Sequence, residues 1–297
     1  MQLRCLASLI LVSLLAPQTI EGYETDQFHN RLEPIRDSTI ALNRQVNQTI
    51  EDTVAHWSGP RDDSKFVDEI FHAIGGYHWV DKIEKWAMKS DEVDRLSTPR
   101  RDSIYSDQPI WATRFIGLFG VGPTIKLNGQ LIGSDKLGHF LSQGRKFYFR
   151  FQKYSDEARA AEQSAYTERA IFGQLTTGVY SNADLVANYE GYRFYRSLFE
   201  DNIIAGKPAI VRWENGGWQI QRSFTWADHV NAYWDEALNV NHFDGLLYPH
   251  MKERLSGFCD DFEEKPDMYR ISNEAALIER YQHLQLRDTS ELRLDTL

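Results

Sequence analysis

The chain has 297 residues, of which 42% are apolar and 13% aromatic, and it carries a formal net charge of -10. That much apolar material suffices for one large domain or two small ones with a buried core, which excludes extensive disorder. An acidic surface without a large basic stripe repels phosphate backbones, so nucleic acid is excluded as a partner.

Met1 to Arg4 carry one positive charge, Cys5 to Ala16 form an apolar run of 12 residues, and Pro17 to Gly22 are polar. This is the order of a secretory signal peptide, and the run is too short to cross a bilayer. Residues 1–22 are therefore expected to be a leader cleaved after Gly22, with the periplasm or the medium as destination. No later stretch approaches the roughly 18 consecutive apolar residues of a membrane helix, so a soluble chain without a transmembrane anchor is expected. Cys259 is the only cysteine beyond residue 22. It can form no intramolecular disulfide, and a buried thiol is expected.

Apolar residues at Phe28, Leu32, Ile35, Leu42, Val46, Ile50, Val54 and Trp57 are spaced by three, four and seven, which predicts one long helix. Helices are also predicted over 63–74 and 79–93, separated by Gly75-Gly76. The polar run 97–108 is the expected boundary between a helical arm (23–100) and a main domain (101–270). In that domain Asn128-Gly129 joins 125–127 to 130–132 as a tight β-hairpin, and a second hairpin pairs 209–213 with 218–222 across 214–217. Each hairpin is followed by a predicted helix, 135–151 and 226–239, with further helices over 156–175 and 183–199 between them. A charged, peripheral helix is expected over 271–297. The fold class is mainly α, an irregular helical bundle with two small β-hairpins.

The chemistry-bearing passage is Gly133-Ser134-Asp135-Lys136-Leu137-Gly138-His139-Phe140. Asp135 and His139, four apart, share a helical face, where a carboxylate would orient an imidazole or both would grip a divalent metal. Ser142 and Lys146 follow on that face, and Lys136, Ser142 and Lys146 are the expected substrate-binding groups. On the helix beginning at Ala183, Asp184 and Asn188 fall within the apolar stripe and need buried partners. Glu190 points away from that stripe and is expected at the surface, and His229 and Glu236 are expected on a solvated face. A second reading stays open: Ser181 three residues before Asp184 is a capping-box spacing, and Ser134 or Asp135 would cap a helix equally well.

The two motifs, Asp135-Lys136-x-x-His139-Phe140 and Ser181-x-x-Asp184-Leu185-x-x-Asn188-x-x-Gly191, resemble signatures of small VanZ-like and YfiM-like bacterial envelope proteins. The resemblance covers roughly 60 residues. It implies an envelope location and a convergence of Asp135, His139, Asp184 and Asn188, but no reaction; VanZ-like proteins are membrane-embedded, which this chain is not expected to be. The sequence carries no G-x-S-x-G, H-E-x-x-H, P-loop or G-x-G-x-x-G pattern. The resulting expectation is an exported hydrolase of a glycan or other envelope component, with His139, Asp135, Asp184 and Asn188 as catalytic groups. The alternative is a non-catalytic envelope scaffold or binding module.

Overall fold

The computed structural model describes residues 24–76, 80–108, 121–169 and 178–297. The expected leader lies outside them. In chain order the elements are β1 (Glu24–Thr25), α1 (Thr39–His56), α2 (Asp63–Ile74), α3 (Lys82–Lys89), β2 (Val121–Gly122), β3 (Thr124–Leu127) and β4 (Gln130–Gly133). Helix α4 covers 136–154, with a π turn at His139–Gln143 between α-helical segments Lys136–Gly138 and Gly144–Tyr154. Then follow α5 (Glu157–Thr167), β5 (Val179–Tyr180), α6 (Asn182–Ser197), β6 (Val211–Glu214), β7 (Gly217–Ile220), β8 (His242–Phe243), α7 (Tyr248–Ser256), α8 (Cys259–Glu264) and α9 (Glu274–Tyr281). The chain is mainly α, and its short strands form two-stranded sheets: β1 with β2 in parallel, and β3 with β4, β5 with β8 and β6 with β7 antiparallel.

Both predicted hairpins form, because each turn dipeptide tolerates the left-handed backbone that a two-residue hairpin requires. Asn128 and Gly129 have φ of 50° and 78°, and Asn215 and Gly216 have 52° and 81°. The second turn is two residues rather than four, since Glu214 still pairs with Gly217.

Three predicted helices differ in the structure. The first starts at Thr39, because Asp37 bridges Lys126 and Ser38 N donates to Lys126 O at 2.9 Å, which holds the preceding backbone extended, and Asp37 Oδ1 then accepts from Thr39 N at 2.8 Å. No long helix forms over 226–239; only single 3₁₀ turns occur, at Trp226–Asp228 and Ala232–Trp234. The side chains of Thr225, Asn231 and Asp235 accept bonds from Ala227 N, Tyr233 N and Ala237 N, and these local bonds compete with the helical ladder. The C-terminal segment is α-helical only over Glu274–Tyr281, with a single 3₁₀ turn at Ser290–Leu292, and is not peripheral: Leu277, Tyr281 and Leu284 are buried in the main core. Beyond it, Arg287 N donates to Asn182 Oδ1 and Thr289 Oγ1 to Val240 O, tying the last residues to the body of the protein.

The main core takes Leu42, Val46 and Phe66 from the first hundred residues together with Phe140, Trp226 and Tyr281, so no break in packing marks the boundary expected near residue 100. A second cluster gathers Phe28, Tyr105, Phe243 and Met251. The Cys259 thiol, expected to be buried, belongs to a residue of intermediate exposure at the start of α8.

The contact that positions the site is the crossing of α4 over α6. Phe140 stacks on Phe194 and Phe147 on Tyr192, with ring centroids 5.3 and 4.7 Å apart. Between these pairs the backbones touch: a Cβ on Gly191 would lie 1.9 Å from Phe140 O, and one on Gly144 would lie 2.6 Å from Gly191 Cα. Neither obstacle is a flexible side chain, so the helices would have to separate. Gly191→Ala is therefore expected to cost about 3 kcal/mol or more, whereas Gly217→Ala, with open space around the added carbon, should be close to neutral. Urea denaturation of the two variants checks this; equal stabilities would show that the crossing is not tight.

Candidate functional site

The crossing sets two pairs of polar side chains face to face. Asp135 and His139 come from the start of α4, and Asp184 and Asn188 lie one turn apart on α6. His139 Nε2 stands 3.2 Å from Asp184 Oδ2, and His139 Nδ1 stands 3.0 Å from Asn188 Oδ1. The amide of Asn188 is oriented by its own NH₂ group, which donates to Ser164 Oγ on α5 at 3.3 Å. Asn188 Oδ1 is thus an acceptor for Nδ1–H, and the proton-free edge of a neutral His139 is Nε2, directed at Asp184. Asp135, His139 and Asp184 each offer one ligand atom, and these atoms lie within 4.8 Å of one another. The three side chains are 14%, 19% and 11% exposed, which leaves the imidazole edge within reach of solvent.

Lys136 is not at the surface but beneath this group, with its side chain 1% exposed. Its ammonium lies 2.7 Å from Asp135 Oδ2, 2.5 Å from Asp184 Oδ1 and 2.7 Å from Glu236 Oε1. Burial alone lowers the pKa of an amine, but the charges of Asp135, Asp184 and Glu236 outweigh it and hold Lys136 well above its ordinary value. Glu236 also accepts from Ser181 Oγ at 2.9 Å and Thr25 Oγ1 at 3.2 Å. Two more carboxyl groups feel the same charges. Glu24 is pushed up to about 8 by desolvation, reinforced by Glu236 and Asp184. Glu168 is raised well above the carboxylate range by burial, then by Asp184 and Glu24.

The capping reading divides between residues. Ser181 caps α6, its Oγ accepting from Asp184 N at 3.1 Å, which leaves the Asp184 carboxylate for Lys136 and His139. Asp135 makes no capping bond with its side chain. Gly133 has a local role here, since a Cβ on it would meet Asp135 Oδ1 and Thr25 Oγ1, each at 2.3 Å.

Ser142 and Lys146 belong to a different neighbourhood. Ser142 Oγ donates to Asp81, 2.7 Å from either carboxylate oxygen, and Lys146 supplies nearby positive charge. Burial pushes the Asp81 pKa up to about 7 in spite of these partners.

Two surface expectations are corrected. Glu190 is fully buried, where it accepts from Tyr281 Oη at 2.8 Å and pairs with Arg193, Arg280 and His229. His229 and Glu236, expected on a solvated face, are 2% and 3% exposed. Sequence reasoning missed these because, apart from Arg193 beside Glu190, their charged partners come from distant parts of the chain: Lys136 for Glu236, and Arg280 and His229 for Glu190. Glu24 and Glu168 escaped for the same reason, and no local spacing marks them.

No family model matches this chain, and neither a curated protein nor a solved structure matches it. The reading of the site therefore rests on its own geometry.

Two predictions follow from the charges. Lys136→Met removes the ammonium from between three carboxylates and should destabilise the fold by about 3–5 kcal/mol at pH 8, with a smaller loss near pH 5 as carboxyl groups take up protons. Denaturation at the two pH values checks this, and a pH-independent loss would point to packing instead. Asp81 keeps its proton to about pH 7 when folded but loses it near 3.8 when unfolded, so its contribution opposes folding increasingly across that interval and fully above it. Asp81→Asn should therefore raise Tm at pH 8 and lose that advantage near pH 4.

Proposed function

We propose that the chain is an exported hydrolase acting on a glycan or related component of the cell envelope, with the Asp135, His139 and Asp184 group as the site that activates water. The observation that carries the reaction type is the orientation of His139: Asn188 holds Nδ1, and Nε2 is presented beside Asp184 on a partly exposed edge. A water on that edge would pass a proton to the Nε2 lone pair of His139, while Asp184 and Lys136 keep the local charge in place. The envelope location rests on the order of charged, apolar and polar segments in residues 1–22 and on the two-motif resemblance. Among the described residues no helix is long and apolar enough to cross a membrane.

A non-catalytic scaffold is the competing reading, favoured by the buried Lys136 and its carboxylates, a network that ties three stretches of chain together without any substrate. Turnover separates the two. Purified wild type, His139→Ala and Asp184→Asn are incubated with isolated envelope fractions, and released fragments are measured by mass spectrometry alongside Tm. The expected result is release by the wild type and about 10²–10⁴-fold less by His139→Ala at unchanged Tm. Equal release by a folded His139→Ala, or none by the wild type on any fraction, would sink the hydrolase reading.

A further inference from the structure

We propose that Asp135, His139 and Asp184 form a three-ligand site for a zinc-class divalent cation, with the remaining coordination position open to water. The inference rests on the three side chains of the hydrolase reading and changes the part of His139 in it, since Nε2 would hold the cation rather than take a proton; it concerns binding and does not depend on turnover.

The first argument is the meeting of His139 and Asp184. With Nδ1–H committed to Asn188, a neutral His139 points a lone pair at Asp184 Oδ2 across 3.2 Å, and two acceptors do not hold that distance unless something positive lies between them or on one of them. Two ligands of one tetrahedral zinc, at bond lengths of about 2.0–2.1 Å, stand about 3.4 Å apart. The separation of Nε2 and Oδ2 is close to that value.

The second argument is the partition of carboxylate oxygens. Lys136 takes Asp135 Oδ2 and Asp184 Oδ1. Each carboxylate has a second oxygen: Asp184 Oδ2 faces His139, and Asp135 Oδ1, on the side of Gly133 and Thr25, is buried without a hydrogen-bond partner among the described residues. A buried carboxylate oxygen with no donor is costly unless a cation satisfies it.

The third argument is charge. Asp135, Asp184 and Glu236 set three carboxylates around the one ammonium of Lys136. A dication in the hollow between Asp135, His139 and Asp184 would reduce that excess where it is least hydrated.

The donor set selects the class of ion. Calcium and magnesium favour all-oxygen shells, whereas an imidazole nitrogen favours zinc and its neighbours. Asn188 is then a positioning residue, since a ligating histidine usually donates its other N–H to a fixed acceptor, and loss of that acceptor typically costs 10–100-fold in affinity.

The test uses the purified full chain, freed of metal by a chelator and dialysed, and titrated with Zn²⁺ by calorimetry. Co²⁺ follows as a spectroscopic probe. The expected result is one Zn²⁺ per chain, a Tm that rises with Zn²⁺, and a Co²⁺ absorption band of low coordination number. Binding should vanish in His139→Ala and weaken 10–100-fold in Asn188→Ala, with recovery in Asn188→Asp. Mg²⁺ should not compete at equal concentration. No Zn²⁺ binding by the folded wild type, or binding unchanged in His139→Ala, would overturn the proposal. Chelation separates it from the hydrolase reading: turnover that survives metal removal but is lost in His139→Ala leaves a metal-free histidine base, and metal binding without turnover leaves the ion site but not the reaction.

Discussion

One ammonium group, that of Lys136, holds the centre of this structure in register. With its side chain 1% exposed, it meets carboxylates from the start of α4, from α6 and from the irregular segment that carries Glu236. A buried lysine in this setting stays charged because three adjacent anions offset the loss of hydration, and those anions tolerate burial because it is there. The dependence is mutual. Glu236 extends the network to Ser181 and Thr25, so the cap of α6 and the first strand are tied to the same charge.

Packing supplies the second half of the constraint. Gly144 and Gly191 let α4 and α6 touch backbone to backbone, flanked by the stacked pairs Phe140 with Phe194 and Phe147 with Tyr192. An added methyl group at the crossing, 1.9 Å from Phe140 O, would push apart the two helices that carry His139 and Asp184. The π turn at His139–Gln143 belongs to the same arrangement, since it widens the helix where the imidazole leaves it. The core therefore sets a distance, and the charges set which groups face each other across it.

The same residues serve stability and chemistry. Ser181 caps α6 through Asp184 N, and the freed Asp184 carboxylate faces His139. The capping pattern and the functional pattern are thus one piece of sequence with the tasks divided between a backbone amide and a side chain. Asp81 with Ser142 is a separate case, a buried acid whose raised pKa makes the fold weaker at alkaline pH and which stands apart from the Lys136 cluster.

What the sequence by itself determined was local. Two Asn-Gly dipeptides specified two hairpins, apolar periodicity located most of the helices, and i,i+4 spacing paired Asp135 with His139 and Asp184 with Asn188, because each of these follows from backbone geometry over a few residues. Only the tertiary structure decided that those pairs face one another, that Glu190, His229 and Glu236 are buried, that Lys136 lies beneath the site, and that Trp226 to Asn239 forgoes a helix for side-chain-capped turns. Burial of a charge is set by partners that neutralise it, and here those partners come from other elements, Lys136 for Glu236 and Arg280 for Glu190. No periodicity within a single segment encodes that meeting, which is made by the close crossing of two glycine-bearing helices around one ammonium.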